Sequence, residues 1–395
     1  VNSSLKIALI SKYSSDAGGA SRVAERLLRA VKKHSSHQIE LIGLWPSPRE
    51  VNSPLSKRAL SFIQRASLRF FPGEIMPVEL LYILPHIFDA DIVHIHDSYQ
   101  AISASTARFI SLLKPTFFTL HDESPFTGGC LYQSSNPQFH DTPAKLSLNT
   151  ESITLSLKRW IYKGAKIKFI APSRWMAQRA LKSGVINEVL HLDNFVDQDI
   201  FSAERRVRAR EKFPLNHKPT ILLSANDYKD QRKGGLIAVE ILKELIRSKS
   251  DFTLLLVGED NQGIFSEFNP IRVGKITGDH ALADVYSAAD LLLFPSLIEN
   301  QPLTIIEALS VGTPVAAFAV GGVPELIEED ITGVMANEIN VRALLEKLSL
   351  LLQNSEKLAS LREASLKSSH PRFSADLAVK KHLELWEGGR AISYS

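Results

Sequence analysis

The sequence predicts an α/β protein built from two doubly wound, parallel-sheet domains. Three observations carry that expectation. Short apolar runs alternate with helix-length amphipathic stretches, the pattern of parallel strands joined by crossover helices. The runs are continuously apolar rather than alternating, as in strands covered on both faces. The pattern also restarts near residue 219, in a chain of 395 residues that is long for a single domain.

"LKIALIS" (5–11) is the first strand and ends in a polar loop. "DAGGASR" then opens a helix whose apolar stripe is Val23, Ala24, Leu27, Leu28 and Val31. "HQIELIGLW" is the next strand, and "DIVHIHD" (91–97) and "PTFFTLHD" (115–122) follow, each closing on His-Asp. "AKIKFIAPS" and "VLHLDNFVD" continue the series. The second series begins with "PTILLSANDYKDQRKGGLIAVEILKELI" (219–246), again strand, polar loop, Gly-Gly and helix. "DFTLLLVGE", "NPIRVGKI", "ADLLLFPS" and "TPVAAFAVGG" are its further strands. Gly-Gly falls seven residues after Ser11 but ten after Ser224, so the halves read as two similar domains and not as a sequence repeat. The polar stretch "SAERRVRAREKFPLNHK" (202–218) marks the boundary. Residues 1–205 are expected to form the first domain and 206–372 the second. The closing helix "FSADLAVKKHLELWEGG" (373–389) is expected to pack back on the first, so that 373–395 rejoin it.

Composition narrows the class. Hydrophobic residues at 44% and charged residues at 23% fit an ordinary soluble globular protein. One cysteine, Cys130, excludes an internal disulfide framework and fits a reducing cytosol. No apolar run approaches the ~18–20 residues of a membrane span. The start, "VNSSLKIALIS", lacks the basic-then-apolar signature of a secretory signal. A cytoplasmic location is expected. Residues 1–200 carry 23 Lys+Arg against 17 Asp+Glu, and residues 201–395 carry 23 against 26. The basic half can meet a phosphate-bearing ligand or an anionic membrane, although a merely solvated basic surface explains the same numbers. In "SKRALSFIQRASLRFF" (56–71), Ala59, Phe62, Ile63, Ala66 and Phe70 fall at helical spacing beside Lys57, Arg58, Arg65 and Arg69. Such a helix can lie on anionic lipid in a peripheral membrane contact, while a core-facing helix with a basic outer side is the plainer and favoured reading. No nucleic-acid partner is expected.

The strongest site signal is "ENQPLTIIEALSVGTPVAAFAVGGVPELI" (299–327). Pro302 suits a first helical turn, and Gly312 and Pro314 end the helix. Asn300, Gln301, Pro302, Leu303 and Thr304 surround the helix start, where first-turn N–H groups and the dipole favour an anion. Two carboxylates beside an anion site make sense if the ligand also offers hydroxyls, because an ionised carboxylate only accepts hydrogen bonds. Glu307, deeper in the helix, suits a ribose, and Glu299, on the loop, suits a sugar. An exposed loop acid and a surface helix acid are the plain alternatives. Against the second, Ile305, Ile306, Ala308 and Leu309 leave little polar outer face around Glu307. In "QRKGG" (231–235), Arg232 and Lys233 precede a Gly pair and could neutralise a diphosphate, though taken alone the segment reads better as a solvated loop. It is not a Walker loop, and "DAGGASR" lacks G-x-G-x-x-G. His121 and Asp122 end a strand, where ligands of open α/β sheets sit. His94 and His96 share one strand face and read as packing. "DAD" (89–91) lies before a strand and is set aside as a metal motif. No zinc spacing and no nucleophile elbow is present, and no cofactor is expected.

Together these segments resemble the retaining family-4 (group 1) glycosyltransferases of GT-B fold, in a branch that builds bacterial surface polysaccharides. The residues that carry the resemblance begin with "FPSLIENQPLTIIEALSVGTPVAAFAVGGVPELI" (294–327), similar to the family's E-x(7)-E segment and its Gly-Gly-x-P-E close. "KGG" at 233–235, "GGA" at 18–20, "IAPSRWMAQRAL", "LDNFVDQDIF" and "TLHDESPFTGGC" resemble further family segments. The resemblance implies two Rossmann-like domains facing across a cleft. It also implies a nucleotide-diphosphate sugar held mainly by the second domain, a saccharide or lipid-linked saccharide acceptor on the first, and retention without a metal. By match, Glu307 would hold the ribose and Glu299 the donor sugar. Lys233 would meet the diphosphate, with Gly18 and Gly19 approaching it closely. His121 would sit at the reacting sugar with Asp122 in support, and Lys275 and Ile276 would line the base through backbone groups. The family's usual Arg before the Lys is missing from "SANDYKDQ", so Arg232 is the substitute. No cysteines follow "TGGC", which implies a different acceptor loop. UDP-glucose or a near relative is the donor that family frequency implies. The alternatives are a GT-B-like sugar-nucleotide epimerase, which needs no acceptor, and a non-catalytic sugar-nucleotide-binding protein.

Overall fold

The computed structural model describes residues 4–14, 18–46, 62–63, 75, 77–97, 99, 101–133 and 150–393. The chain divides into two compact units, residues 1–194 with 375–395, and residues 195–374.

The first unit holds a six-stranded sheet of β1 (Lys6–Ser11), β2 (Gln38–Gly43), β3 (Ile92–Ile95), β4 (Thr116–Thr119), β5 (Ile167–Ala171) and β6 (Val189–His191). Its order is β2-β1-β3-β4-β5-β6 and every pairing is parallel. Strand order reverses between β1 and β3, so the loops after these strands diverge and leave a crevice at their carboxyl ends. The central strands are buried throughout, which is why their sequences are apolar without alternation. The helix Ala375–Ser393 belongs to this unit and packs on the helix Gly19–His34. His34 pairs with Asp376 at 2.7 Å. Trp386 is fully buried, and a Cβ added at Gly389 would come within 2.7 Å of the Phe117 ring. The helix therefore approaches β4 as closely as a glycine permits.

The second unit holds β7 (Thr220–Asp227), β8 (Thr253–Glu259), β9 (Ile271–Gly274), β10 (Leu291–Phe294), β11 (Val315–Phe318) and β12 (Gly333–Ala336). They run in the order β12-β11-β10-β7-β8-β9, again all parallel. This is the doubly wound dinucleotide-fold order, with its switch point between β7 and β10. β12 was not foreseen, since "GVMA" is too short to read as a strand.

The boundary falls eleven residues earlier than the polar stretch suggests. Val196, Ile200 and Phe201 bury in the core of the second unit, and the Val196 N–H donates to the Phe373 carbonyl at 3.1 Å. The polar stretch itself is no linker. It contains the helix Arg206–Glu211, tied down by Arg206 and Arg210 on Asp290 and by Arg205 on Asp284 at 3.0 Å. Its charges are polar because they pair, not because the segment is free. The proposed lipid-facing helix at 56–71 lies outside the described residues apart from Phe62 and Ile63, which are exposed.

Candidate functional site

The loops after β7 and β10 meet at the switch point of the second unit. The Leu297 N–H donates to the Arg232 carbonyl at 2.8 Å, stitching one loop to the other. Gly234 is left-handed at φ 66°, and a Cβ there would lie 2.0 Å from the Pro295 carbonyl oxygen. Only glycine allows this contact, so Gly234 serves backbone packing. The result is a long-range pair: the Lys233 ammonium donates to Glu299 Oε1 at 2.6 Å across 66 positions of sequence. Glu299 is 8% exposed and Lys233 stands at the rim. Arg232 takes no part in this pair. Its guanidinium makes a bidentate ion pair with Asp230, at 3.1 and 2.8 Å.

Glu299 is fixed from below. Its carbonyl accepts the Gly322 N–H at 2.9 Å, and a Cβ on Gly321 would lie 1.9 Å from the same oxygen. The Gly-Gly that closes the motif is therefore the seat of Glu299. Pro302 caps the helix Leu303–Ser310, and its carbonyl accepts from Ile305 at 3.2 Å and Ile306 at 3.4 Å. The N–H groups of Leu303 and Thr304 have no acceptor within the helix, and Pro302 has no N–H to offer. Asn300, Gln301 and Pro302 are buried beside that end. Glu307 is 1% exposed, within a helix whose residues 305–310 are all buried, so it is no surface acid. Lys275 follows β9 and lies 3.7 Å from Glu259 on an open surface. Ile276 packs against the core, leaving backbone at this edge.

In the first unit, Gly18 ends the loop after β1 with φ 155° and ψ 168°, a backbone state that other residues seldom adopt. Among the described residues nothing lies within 4 Å of a Cβ added at Gly18 or Gly19, so a ligand could approach the backbone there. His121 follows β4. Its Nε2 lies 3.2 Å from Nδ1 of His96, at the end of β3, and the two rings stack at 5.5 Å. Burial lowers the His121 pKa to about 4, so the imidazole is neutral at neutral pH. Asp122 does not occupy that Nε2. Its Oδ1 accepts the Ser124 N–H at 2.8 Å and shapes the turn. Burial raises the Asp122 pKa, opposed by the Ser124 hydrogen bonds and the Lys158 charge.

Two features were not foreseen. Glu123 is fully buried and clamped by the Arg179 guanidinium and the Gln133 N–H, which anchors the segment through "TGGC". His96 was read as packing but reaches His121, whereas His94 does pack, against Trp386 and Thr119. Among the described residues no group of three or more His, Cys, Asp or Glu is placed to hold a metal ion, and no helix is long and apolar enough to cross a membrane.

Residues 17–199 match the family described as Glycosyltransferase Family 4, and residues 218–354 match Glycosyl transferases group 1. The chain belongs to the family-4, group 1 glycosyltransferases and has the GT-B fold. The sulfoquinovosyl transferase SQD2 of Arabidopsis thaliana is 27% identical over 216 residues, 51% of this chain and 40% of that protein. The chain thus spans well under two thirds of the length of that relative. The fold is matched along almost the whole chain. Sucrose-phosphate synthase from Thermosynechococcus elongatus superposes with a TM-score of 0.74 at 18% identity, covering 99% of this chain and 100% of its own. Anabaena HepE in complex with UDP-glucose gives 0.69 at 15% identity, covering 97% and 100%.

Proposed function

We propose that this glycosyltransferase moves a sugar, with retention and without a metal, from a nucleotide-diphosphate sugar to a saccharide or lipid-linked saccharide in bacterial exopolysaccharide synthesis. UDP-glucose or a close relative is the proposed donor, in keeping with the UDP-glucose in the HepE complex. The observation that carries the reading is the Lys233–Glu299 pair set beside the N-terminus of Leu303–Ser310, with Glu307 buried in the same helix. One end of this array is cationic and the other is a carboxylate, as a diphosphate joined to two polyols requires. Lys233 and the Leu303 and Thr304 N–H groups would stabilise the charge that develops on the leaving diphosphate, which needs no proton transfer. That supply of positive charge is the reason for proposing metal independence. The sugar becomes oxocarbenium-like, and front-face attack by the acceptor is the proposed route. His121 and Asp122 are assigned to the reacting sugar, Gly18 and Gly19 to the diphosphate, and Lys275 and Ile276 to the base.

Lys233→Ala tests the reading. It removes a diphosphate cation and strips Glu299 of its counter-charge, so both changes oppose an anionic ligand. Loss of about 1.5–3 kcal/mol, roughly tenfold to a hundredfold in UDP affinity, is expected by calorimetry. Unchanged affinity would remove Lys233 from the site. Turnover of the donor without any acceptor would favour an epimerase instead. The membrane contact proposed for 56–71 has its own measurement, sedimentation with anionic vesicles at low salt. Protein left in the supernatant would dispose of it.

A further inference from the structure

We propose that His96 is a positioning residue for His121: its Nδ1–H donates to His121 Nε2 and so holds the His121 proton on Nδ1. The argument begins with the 3.2 Å separation of the two nitrogens, which requires one to donate and the other to accept. Burial keeps both rings neutral, His121 at about 4 and His96 well below its ordinary value, so each carries a single N–H. The second nitrogen of His96 decides which ring donates. His96 is 1% exposed, and its Nε2 is buried without a hydrogen-bond partner among the described residues. If His121 donated, His96 would have to carry its proton on that Nε2, as an orphaned buried N–H. If His96 donates, Nε2 is a bare lone pair. Orphaned buried N–H donors are the rarer and costlier case.

The neighbouring ring repeats the arrangement. His94 puts Nε2 on the Thr119 hydroxyl at 2.8 Å, and its Nδ1 is likewise buried and unpartnered. The His94 and His96 rings lie 4.3 Å apart, with His382 5.7 Å from His94 on the far side. His121 consequently carries its proton on Nδ1, and its Nε2 is occupied. A general base acting through Nε2 is excluded by the same bond.

The proposal depends on the transferase reading only for its kinetic arm. Long-range ¹H–¹⁵N spectra of protein labelled at histidine distinguish a protonated ring nitrogen from a bare one without any substrate. His121→Gln identifies the His121 signals by their loss. His121 is expected to be protonated at Nδ1 in the unaltered protein. It should stay so in His96→Asn, whose side-chain amide can donate from near the Nδ1 position. In His96→Leu the proton should redistribute toward Nε2. With donor and acceptor supplied, His96→Leu should lower kcat on the order of tenfold to a hundredfold with donor KM within about threefold, and His96→Asn should recover most of it. A His121 proton on Nε2 in the unaltered protein overturns the proposal. So does a His121 spectrum that His96→Leu leaves unchanged, or equal kcat loss in both folded variants. If His96→Leu does not fold, the unaltered and His96→Asn spectra still decide. A protein that transfers no sugar but shows the Nδ1 tautomer would refute the transferase reading alone.

Discussion

Glu299→Gln is expected to leave UDP affinity nearly unchanged while depressing turnover, and Glu307→Gln to weaken UDP and UDP-sugar alike. The two carboxylates occupy different environments, and that separates their roles. Glu307 is sealed in the helix Leu303–Ser310, where no solvent competes for its hydrogen bonds. A ribose bound there is common to both ligands, and losing a charge-assisted contact should reduce affinity by roughly tenfold to a hundredfold. Glu299 stands on the preceding loop with its charge against Lys233. Glutamine keeps the size and an acceptor for the ammonium but removes the negative charge. Free UDP has no sugar to lose, and a less neutralised Lys233 holds the diphosphate at least as well. The sugar that gains positive character in transfer loses a facing carboxylate, so kcat should fall by about tenfold to a hundredfold, beyond any change in donor binding. Calorimetry with UDP and transfer kinetics on both variants make the comparison. Equal weakening of UDP by the two substitutions would mean that the glutamates do not divide the donor.

The largest stability effect is expected from Trp386→Ala. Trp386 is wholly buried, edge-on to His94 at 5.9 Å and 5.4 Å from His382. Truncation leaves a cavity between the returning helix and the first sheet, and such losses run to about 3–5 kcal/mol. For a unit of this size that is a fall of roughly 6–20 °C in its melting transition. Trp386→Phe is the control. The indole N–H has no hydrogen-bond partner among the described residues, so removing it leaves none of their polar atoms stranded and the fall should be much smaller. Differential scanning calorimetry can assign the change to one of the two units. If Trp386→Ala melts like the unaltered protein, the helix contributes little to the first unit.

What could be read in advance follows from the range of the interactions. Strands such as "KIALIS" and "LLLF" declare themselves because burial on both faces leaves a local apolar run. The helix start at Pro302 and the burial of Glu307 were legible for the same reason, since cap and neighbours lie within one turn. The Lys233–Glu299 pair was not, because it depends on two loops meeting at a switch point, 66 positions apart in sequence. Arg232 and Lys233 look alike as adjacent cations, and only Asp230 two residues earlier separates them, by taking the guanidinium. Gly234 and Gly321 announce unusual backbone, but not that each yields to one particular carbonyl, of Pro295 and of Glu299. His96 and His121 close adjacent strands, so their contact was available to pattern reading once the order β3-β4 was known.

The return of the helix Ala375–Ser393 to the first unit also sets a timetable. A ribosome delivers the first sheet long before the helix that covers it. At about 5–20 residues per second, the intervening residues 195–374 take roughly 10–40 s to appear. Throughout that interval Phe117 and His94 wait without Trp386 and Gly389 over them. The second unit has no such debt, because every residue from Phe195 to Ser374 is contiguous. It can close while the first unit is still open, so the half that is made second is the half that finishes first.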